Sequence, residues 1–209
     1  MMKLYDYARS SAAYRVRIAL NLKQLAYRVI PISLLDGMQQ SAEYRALNST
    51  GLVPSLDIDE QGNGEGIIGQ SLAIIEYLDE RYPEPPLLPD TPFARARTRA
   101  LALQIACDIH PLNNLRVLKY LTGELGVSEE QKTIWYHHWL TQGLTPLEQQ
   151  LSTGDTPFCC GNTPGLADIC LIPQLYNAHR FTLDMTPYPR LIAIEKTCNQ
   201  LDAFRIAMP

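Results

Sequence analysis

Between positions 83 and 92 the chain carries five prolines, Pro83, Pro85, Pro86, Pro89 and Pro92. Proline has no backbone N–H and a fixed φ, so neither a helix nor a sheet ladder runs through such a stretch. It reads as a stiff linker, and it divides 209 residues into two pieces, each long enough to build a core. The pieces differ in texture. Before the prolines, short strand-like and helix-like segments alternate; after them, apolar residues recur at helical spacing. The expected organisation is an α/β domain over 1–82, a linker over 83–91 and an all-helical domain over 92–209.

In the first piece, Lys3–Tyr7 reads as a strand. Ala12 to Lys23 reads as a helix, with Val16, Ile18, Ala19, Leu20 and Leu22 on its apolar side. Strands follow at Tyr27–Ile32 and Ser55–Ile58, with a short helix at Ala42–Leu47 between them. The Gly-rich run Gln61-Gly62-Asn63-Gly64-Glu65-Gly66 signals a hairpin turn back into Ile67-Ile68. A last helix begins at Ser71, read as its N-cap. The order β-α-β-α-β-β-α is a βαβ unit followed by ββα, the thioredoxin-like plan. In the second piece the helices are Phe93–Leu121, Glu129–Leu151, Leu166–Phe181 and Pro189–Gln200, with Pro111 expected to kink or break the first.

Composition narrows the function classes. A net charge of −4 without a basic block gives no electrostatic reason to expect nucleic acid. No apolar run approaches the ~20 residues of a membrane span, and the N-terminus lacks the pattern of a signal peptide. The cysteines, Cys107, Cys159, Cys160, Cys170 and Cys198, are odd in number and form no C-x-x-C. They read as thiols in a reducing compartment, which points to the cytoplasm. No metal is expected: His137 and His138 are adjacent, and no second ligand pair has suitable spacing.

Three places carry chemistry. Ser10-Ser11 lies where a strand hands over to a helix, whose first amides lack intrahelical partners and whose dipole is positive there. Such a terminus stabilises an anion, a thiolate included. Gln70-Ser71 is a second hydroxyl at a helix start, suited to a carboxylate. Val53-Pro54 precedes a strand; a cis turn would offer the Val53 amide and carbonyl to a peptide ligand. Taken singly, each is an ordinary cap or an ordinary X-Pro bond. Together they suit a small anionic peptide with a thiol, which is glutathione.

The segment Arg9-Ser10-Ser11-Ala12-Ala13-Tyr14-Arg15-Val16-Arg17-Ile18-Ala19-Leu20 resembles the signature of the zeta-class glutathione transferases, the maleylacetoacetate isomerases. The likeness continues through Ala46-Leu47-Asn48, Val53-Pro54, Gln70-Ser71-Leu72-Ala73-Ile74-Ile75-Glu76-Tyr77-Leu78 and His110-Pro111-Leu112-Asn113-Asn114-Leu115. It resumes at Leu166-Ala167-Asp168, Ile172-Pro173-Gln174, Asn177-Ala178-His179-Arg180-Phe181 and Thr186-Pro187-Tyr188-Pro189, and so covers nearly the whole chain. The first motif and the Asn-Ala-x-Arg-Phe segment are the specific ones.

The resemblance implies roles. Ser10, with Ser11 beside it, would stabilise the glutathione thiolate; Gln70 and Ser71 would hold the γ-glutamyl end. Val53 would pair its backbone with the cysteinyl unit, with Pro54 cis, and Gln40 would reach the glycyl end. His110, Asn113 and Asn114, with Asp108, match positions that close over glutathione and substrate. Arg9 and Arg180 match residues that hold substrate carboxylates, a task suited to the planar guanidinium fork. A homodimer is also implied.

The expected activity is glutathione-dependent cis–trans isomerisation of maleylacetoacetate, a small unsaturated diacid of tyrosine and phenylalanine breakdown. Maleylpyruvate isomerase of gentisate breakdown is the nearest alternative. That subgroup carries an arginine directly after the paired asparagines, where this chain has Leu115 and then Arg116. A transferase or dehalogenase acting on α-halo acids uses the same groups. A non-catalytic binding module is disfavoured by the presence of Ser10, Ser11, Gln70 and Ser71. Two departures stand out: Ala12 replaces a cysteine common in the family, and Gly165 replaces a Ser or Thr helix cap.

Overall fold

The computed structural model describes residues 1–58 and 66–209; most of the Gly-rich turn, 61–65, lies outside the described residues. The chain divides into two compact units, Met1–Pro86 with Leu201–Pro209, and Leu87–Gln200.

The first unit is built on a four-stranded sheet of order β2-β1-β3-β4. Strand β1 (Met2–Asp6) pairs parallel with β2 (Tyr27–Pro31) through the crossover helix α1 (Ser11–Leu22). Strand β3 (Ser55–Asp57) runs antiparallel to both β1 and β4 (Ile67–Gly69). Helix α2 (Ala42–Leu47) and helix α3 (Ser71–Arg81) complete the thioredoxin-like plan.

Helix α1 is buried almost all round: Ala13, Tyr14, Val16, Ile18, Ala19 and Leu20 are sealed from water. Each large apolar side chain hidden this way contributes roughly 1.5–3 kcal/mol. The sequence reading ran the helical domain to 209; instead a short terminal helix, α9 (Asp202–Ala207), belongs to the first unit and lies on α1. It had no sequence signal beyond a six-residue apolar pattern. Its contacts are to groups far away in the chain: the Tyr14 hydroxyl donates to the Phe204 carbonyl at 3.4 Å, Asn21 to that of Ala203 at 3.1 Å, and Arg17 Nε to that of Ala207 at 2.8 Å.

The second unit is helical. Its elements are α4 (Pro92–Leu103), a π-helical turn (Gln104–Ile109), α5 (Leu115–Gly123), α6 (Glu129–Ser152), α7 (Leu166–Arg180) and α8 (Pro189–Cys198). The single helix expected over 93–121 is therefore two helices. The ladder widens to i→i+5 spacing, with the His110 amide bonded to the Ile105 carbonyl at 3.0 Å, and ends just before Pro111. Pro111 cannot donate to a continuing ladder. Gly143 on α6 makes room for the wide turn: a Cβ there would lie 2.2 Å from Ile109 Cδ1.

The Gly165 departure has a steric reason. A Cβ there would lie 2.8 Å from the Leu87 carbonyl oxygen, which accepts from the Leu166 amide at 2.9 Å. Asp168 supplies the cap instead, taking the Gly165 amide at 2.9 Å and the Cys159 amide at 2.8 Å.

Candidate active site

Within the first unit, the end of β1 and the start of α1 place Ser10 and Ser11. Ser10 is the N-cap of α1, its Oγ accepting from the Ala13 amide at 3.3 Å. A capping hydroxyl accepts with a lone pair and keeps its own hydrogen to donate, so capping and anion binding are compatible in one group. Ser11 follows as the first helical residue and is buried. The loop is fixed from behind by Arg17. Its Nη1 meets both Asp6 carboxylate oxygens at 2.7 and 2.8 Å, and its Nη2 donates to the Ala8 carbonyl at 2.9 Å. Burial raises the Asp6 carboxyl above the usual range, and the Arg17 charge opposes this. Arg9, between these anchors, is exposed.

The start of α3 repeats the arrangement one residue earlier than expected. Gln70, not Ser71, occupies the N-cap position, and Ser71 is the first helical residue. Gln70 adopts φ 65°, ψ 115°, a conformation an L residue adopts at a cost on the order of 1–3 kcal/mol. The Gln70 side chain itself is exposed. Ser71 is buried and its Oγ accepts from Arg15 Nη1 at 3.4 Å, which leaves the hydroxyl hydrogen to donate elsewhere.

The Val53-Pro54 bond is cis. Among the described residues the Val53 amide and carbonyl make no hydrogen bond, whereas the neighbouring Leu52 carbonyl is taken by Tyr44 and Asn48 at 2.7 and 3.0 Å. Gln40 is exposed at the end of a 3-10 turn, and its Nε2 donates to the Gly51 carbonyl at 3.3 Å. Gly51 needs both its φ of 61° and its missing side chain, because a Cβ would lie 2.9 Å from the Gln39 carbonyl.

Within the second unit, the π-helical turn and the turn after it carry Asp108, His110, Asn113 and Asn114. Asp108 is exposed. His110 Nε2 and Asn114 Nδ2 lie 3.4 Å apart, and Asn114 Oδ1 caps α5 by accepting from the Arg116 amide at 3.1 Å. Asn113 is buried; its Nδ2 donates to the Tyr136 carbonyl at 3.1 Å, while its Oδ1 has no partner among the described residues. Arg180 is the last residue of α7 and exposed, with its Cζ 5.2 Å from the centre of the Phe181 ring. Among the described residues no cluster of His, Cys, Asp or Glu is arranged to hold a metal, and no helix is long and apolar enough to cross a membrane.

Residues 4–86 match the family model "Glutathione S-transferase, N-terminal domain", and residues 140–194 match "Glutathione S-transferase, C-terminal domain". A probable maleylacetoacetate isomerase of Vibrio cholerae is 52% identical over 208 residues, covering 99% of this chain and 94% of its own. The chain belongs to the zeta class of the glutathione S-transferase family. A zeta-class maleyl pyruvate isomerase, solved in its holo form, superposes with a TM-score of 0.94 at 42% identity, over 99% of this chain and 96% of that one. The maleylacetoacetate isomerase of Methylobacterium extorquens AM1, solved with bound malonate and GSH, gives 0.93 at 39% identity, over 99% and 96%.

The described geometry of the first unit comes down to a few features. There are two helix N-termini with buried serines, one strained polar side chain beside them, and one free backbone edge. What the sequence reading missed is the bracing within each unit: Arg17 and Arg15 in the first, and Trp135, Tyr136 and His137 around Leu112, Asn113 and Phe181 in the second. The cations stood in the quoted motif without a stated task. The aromatic run from Trp135 to Trp139 was the only signal for the others.

Proposed function

We propose that this protein is a glutathione-dependent cis–trans isomerase converting maleylacetoacetate to fumarylacetoacetate. The observation that carries the reading is the Ser10-Ser11 helix start, braced by Arg17, together with the Arg180 guanidinium held at the end of α7. When bound, glutathione supplies the thiolate whose reversible addition to the cis double bond permits rotation.

The chain's own residues do the rest. Ser10, with Ser11, donates a hydrogen bond toward the sulfur, and the α1 terminus favours its negative charge. Gln70 and Ser71 hold the γ-glutamyl carboxylate, Val53 pairs its backbone with the peptide, and Gln40 reaches the glycyl end. Asp108, His110, Asn113 and Asn114 are the positions to which the family resemblance assigns contacts with glutathione and substrate. Arg9 and Arg180 hold the two carboxylates of the diacid, orient it, and stabilise charge that develops during reaction. Ala12 supplies no thiol, so the serine hydroxyl is the side-chain donor to the sulfur. The protein works as a cytoplasmic homodimer, a reading supported by the family resemblance and by five cysteines that form no disulfide.

Maleylpyruvate is the second reading, favoured by the likeness to the maleyl pyruvate isomerase structure. Leu115 at the start of α5, where that subgroup has arginine, weighs against it. Maleylacetone and maleylpyruvate, each tried with and without glutathione, separate the two. Faster glutathione-dependent conversion of maleylacetone supports the proposal. Conversion of maleylpyruvate alone, or none at all, overturns it.

A further inference from the structure

Successive residues of a helix point about 100° apart, so three in a row reach different neighbours. Residues 135, 136 and 137 of α6 do this. Trp135 Nε1 donates to the Leu112 carbonyl at 2.9 Å. The Tyr136 carbonyl accepts from Asn113 Nδ2 at 3.1 Å, using the second lone pair that a helical carbonyl retains. The turn carrying Asn113 and Asn114 is thus pinned to α6 by two hydrogen bonds.

The same three residues hold the end of α7. The Tyr136 ring is stacked on Phe181, centres 3.7 Å apart and planes inclined by 16°. His137 Nε2 lies 2.6 Å from the Phe181 carbonyl. A carbonyl only accepts, so that nitrogen carries the proton. Phe181 in turn lies beneath the Arg180 guanidinium. Tyr136 is sealed from water, and burial pushes its phenol up while the Arg180 charge opposes this.

We propose that Trp135, Tyr136 and His137 are positioning residues that set the two polar arms of the helical unit: Asn113-Asn114 through Leu112 and Asn113, and Arg180 through Phe181. This rests on the isomerase reading, in which Arg180 holds a substrate carboxylate. Arg180 is exposed and, among the described residues, makes no ion pair; its direction comes from the stack beneath it. An arginine so held loses little further freedom on binding a carboxylate. The hub thereby favours a diacid over an uncharged electrophile.

The test compares wild type, His137→Ala, His137→Gln, Arg180→Ala and the double variant His137→Ala/Arg180→Ala. Maleylacetone and glutathione serve as substrates, and thermal melting checks that each variant is folded. Loss of one neutral hydrogen bond corresponds to roughly 2- to 12-fold in affinity. The expected result is a rise of that order in KM for maleylacetone in His137→Ala, with KM for glutathione unchanged. His137→Gln, which keeps an N–H donor at similar reach, recovers most of it. In the Arg180→Ala background the His137 effect largely disappears, because both changes act on one arm. Full additivity, or a joint fall of every parameter with melting temperature, overturns the hub. Relaxation of the Arg180 ¹⁵Nε–H group judges it separately from activity: the signal becomes more mobile in His137→Ala if the hub holds, and is unchanged if it does not. A wild type without glutathione-dependent isomerisation sinks the isomerase reading, and the relaxation result still decides the hub.

Discussion

The two units hold their functional groups by different physics. In the first, the bracing groups are buried cations. Arg17 ties Asp6, Ala8 and Ala207 together, and Lys23 donates to Asp79 and to the carbonyls of Tyr82 and Pro85 at 2.6, 2.6 and 2.7 Å. In the second, aromatic faces and carbonyls do the bracing: Tyr136 on Phe181, Trp135 to Leu112, His137 to Phe181. A thiolate site needs a rigid strand-to-helix corner, and charge-assisted bonds supply stiffness over short reach. A carboxylate arm at a helix end needs direction while its charge stays available for the ligand, and an aromatic platform supplies that.

The largest test of this contrast is Arg17→Ala. It leaves Asp6 buried without its cation, and denaturant unfolding should show a loss of about 3–5 kcal/mol. Replacing the pair with apolar residues, Arg17→Met with Asp6→Leu, should recover most of that stability. It should still weaken thiolate formation, because the Ala8 tether is gone. Equal activity in the double variant would break the claim that this cation braces the site.

In the helical unit, Gly143→Ala drives a methyl group into Ile109, and overpacking of this kind costs about 1–3 kcal/mol. Ile109→Ala in the same chain should relieve part of it, so the two changes should cost less together than their sum in urea melts.

A smaller effect separates capping from chemistry at Ser10. Ser10→Ala should cost about 1 kcal/mol and Ser10→Gly only a few tenths. If the hydroxyl donates to the sulfur, both variants lose isomerase activity alike. Activity that instead tracks stability would reduce Ser10 to a cap.

The smallest is a carboxyl titration. Bonds from the Thr186 amide and hydroxyl hold Asp184 below its ordinary 3.8. A carboxyl depressed in the folded chain favours folding above its unfolded value, and that contribution fades as pH falls through the folded one. Carbon-13 detection should find the Asp184 midpoint below 3.8, and Thr186→Val should move it part of the way back.

The same contrast decided what the sequence disclosed. The β-α-β-α-β-β-α order and the serines at α1 and α3 are local: period, turn residues and caps act within a few positions, so they could be read directly. The one-residue misplacement at Ser71 arose because the left-handed φ of Gln70 follows from no residue preference. The helical unit was read correctly as helices, but the π-helical turn before Pro111 depends on Gly143, more than thirty positions away. Helix α9 depends on side-chain donors of α1, from the other end of the chain, and the hub at 135–137 on carbonyls at 112 and 181. Periodicity carries no record of such pairings.

The most direct measurement is the pair of KM values in Arg180→Ala. Loss of a charge-assisted contact worth about 1.5–3 kcal/mol should raise KM for maleylacetone roughly 10- to 150-fold and leave KM for glutathione within about twofold. A rise in the glutathione value with the diacid value unmoved would contradict the division of labour proposed for the two units.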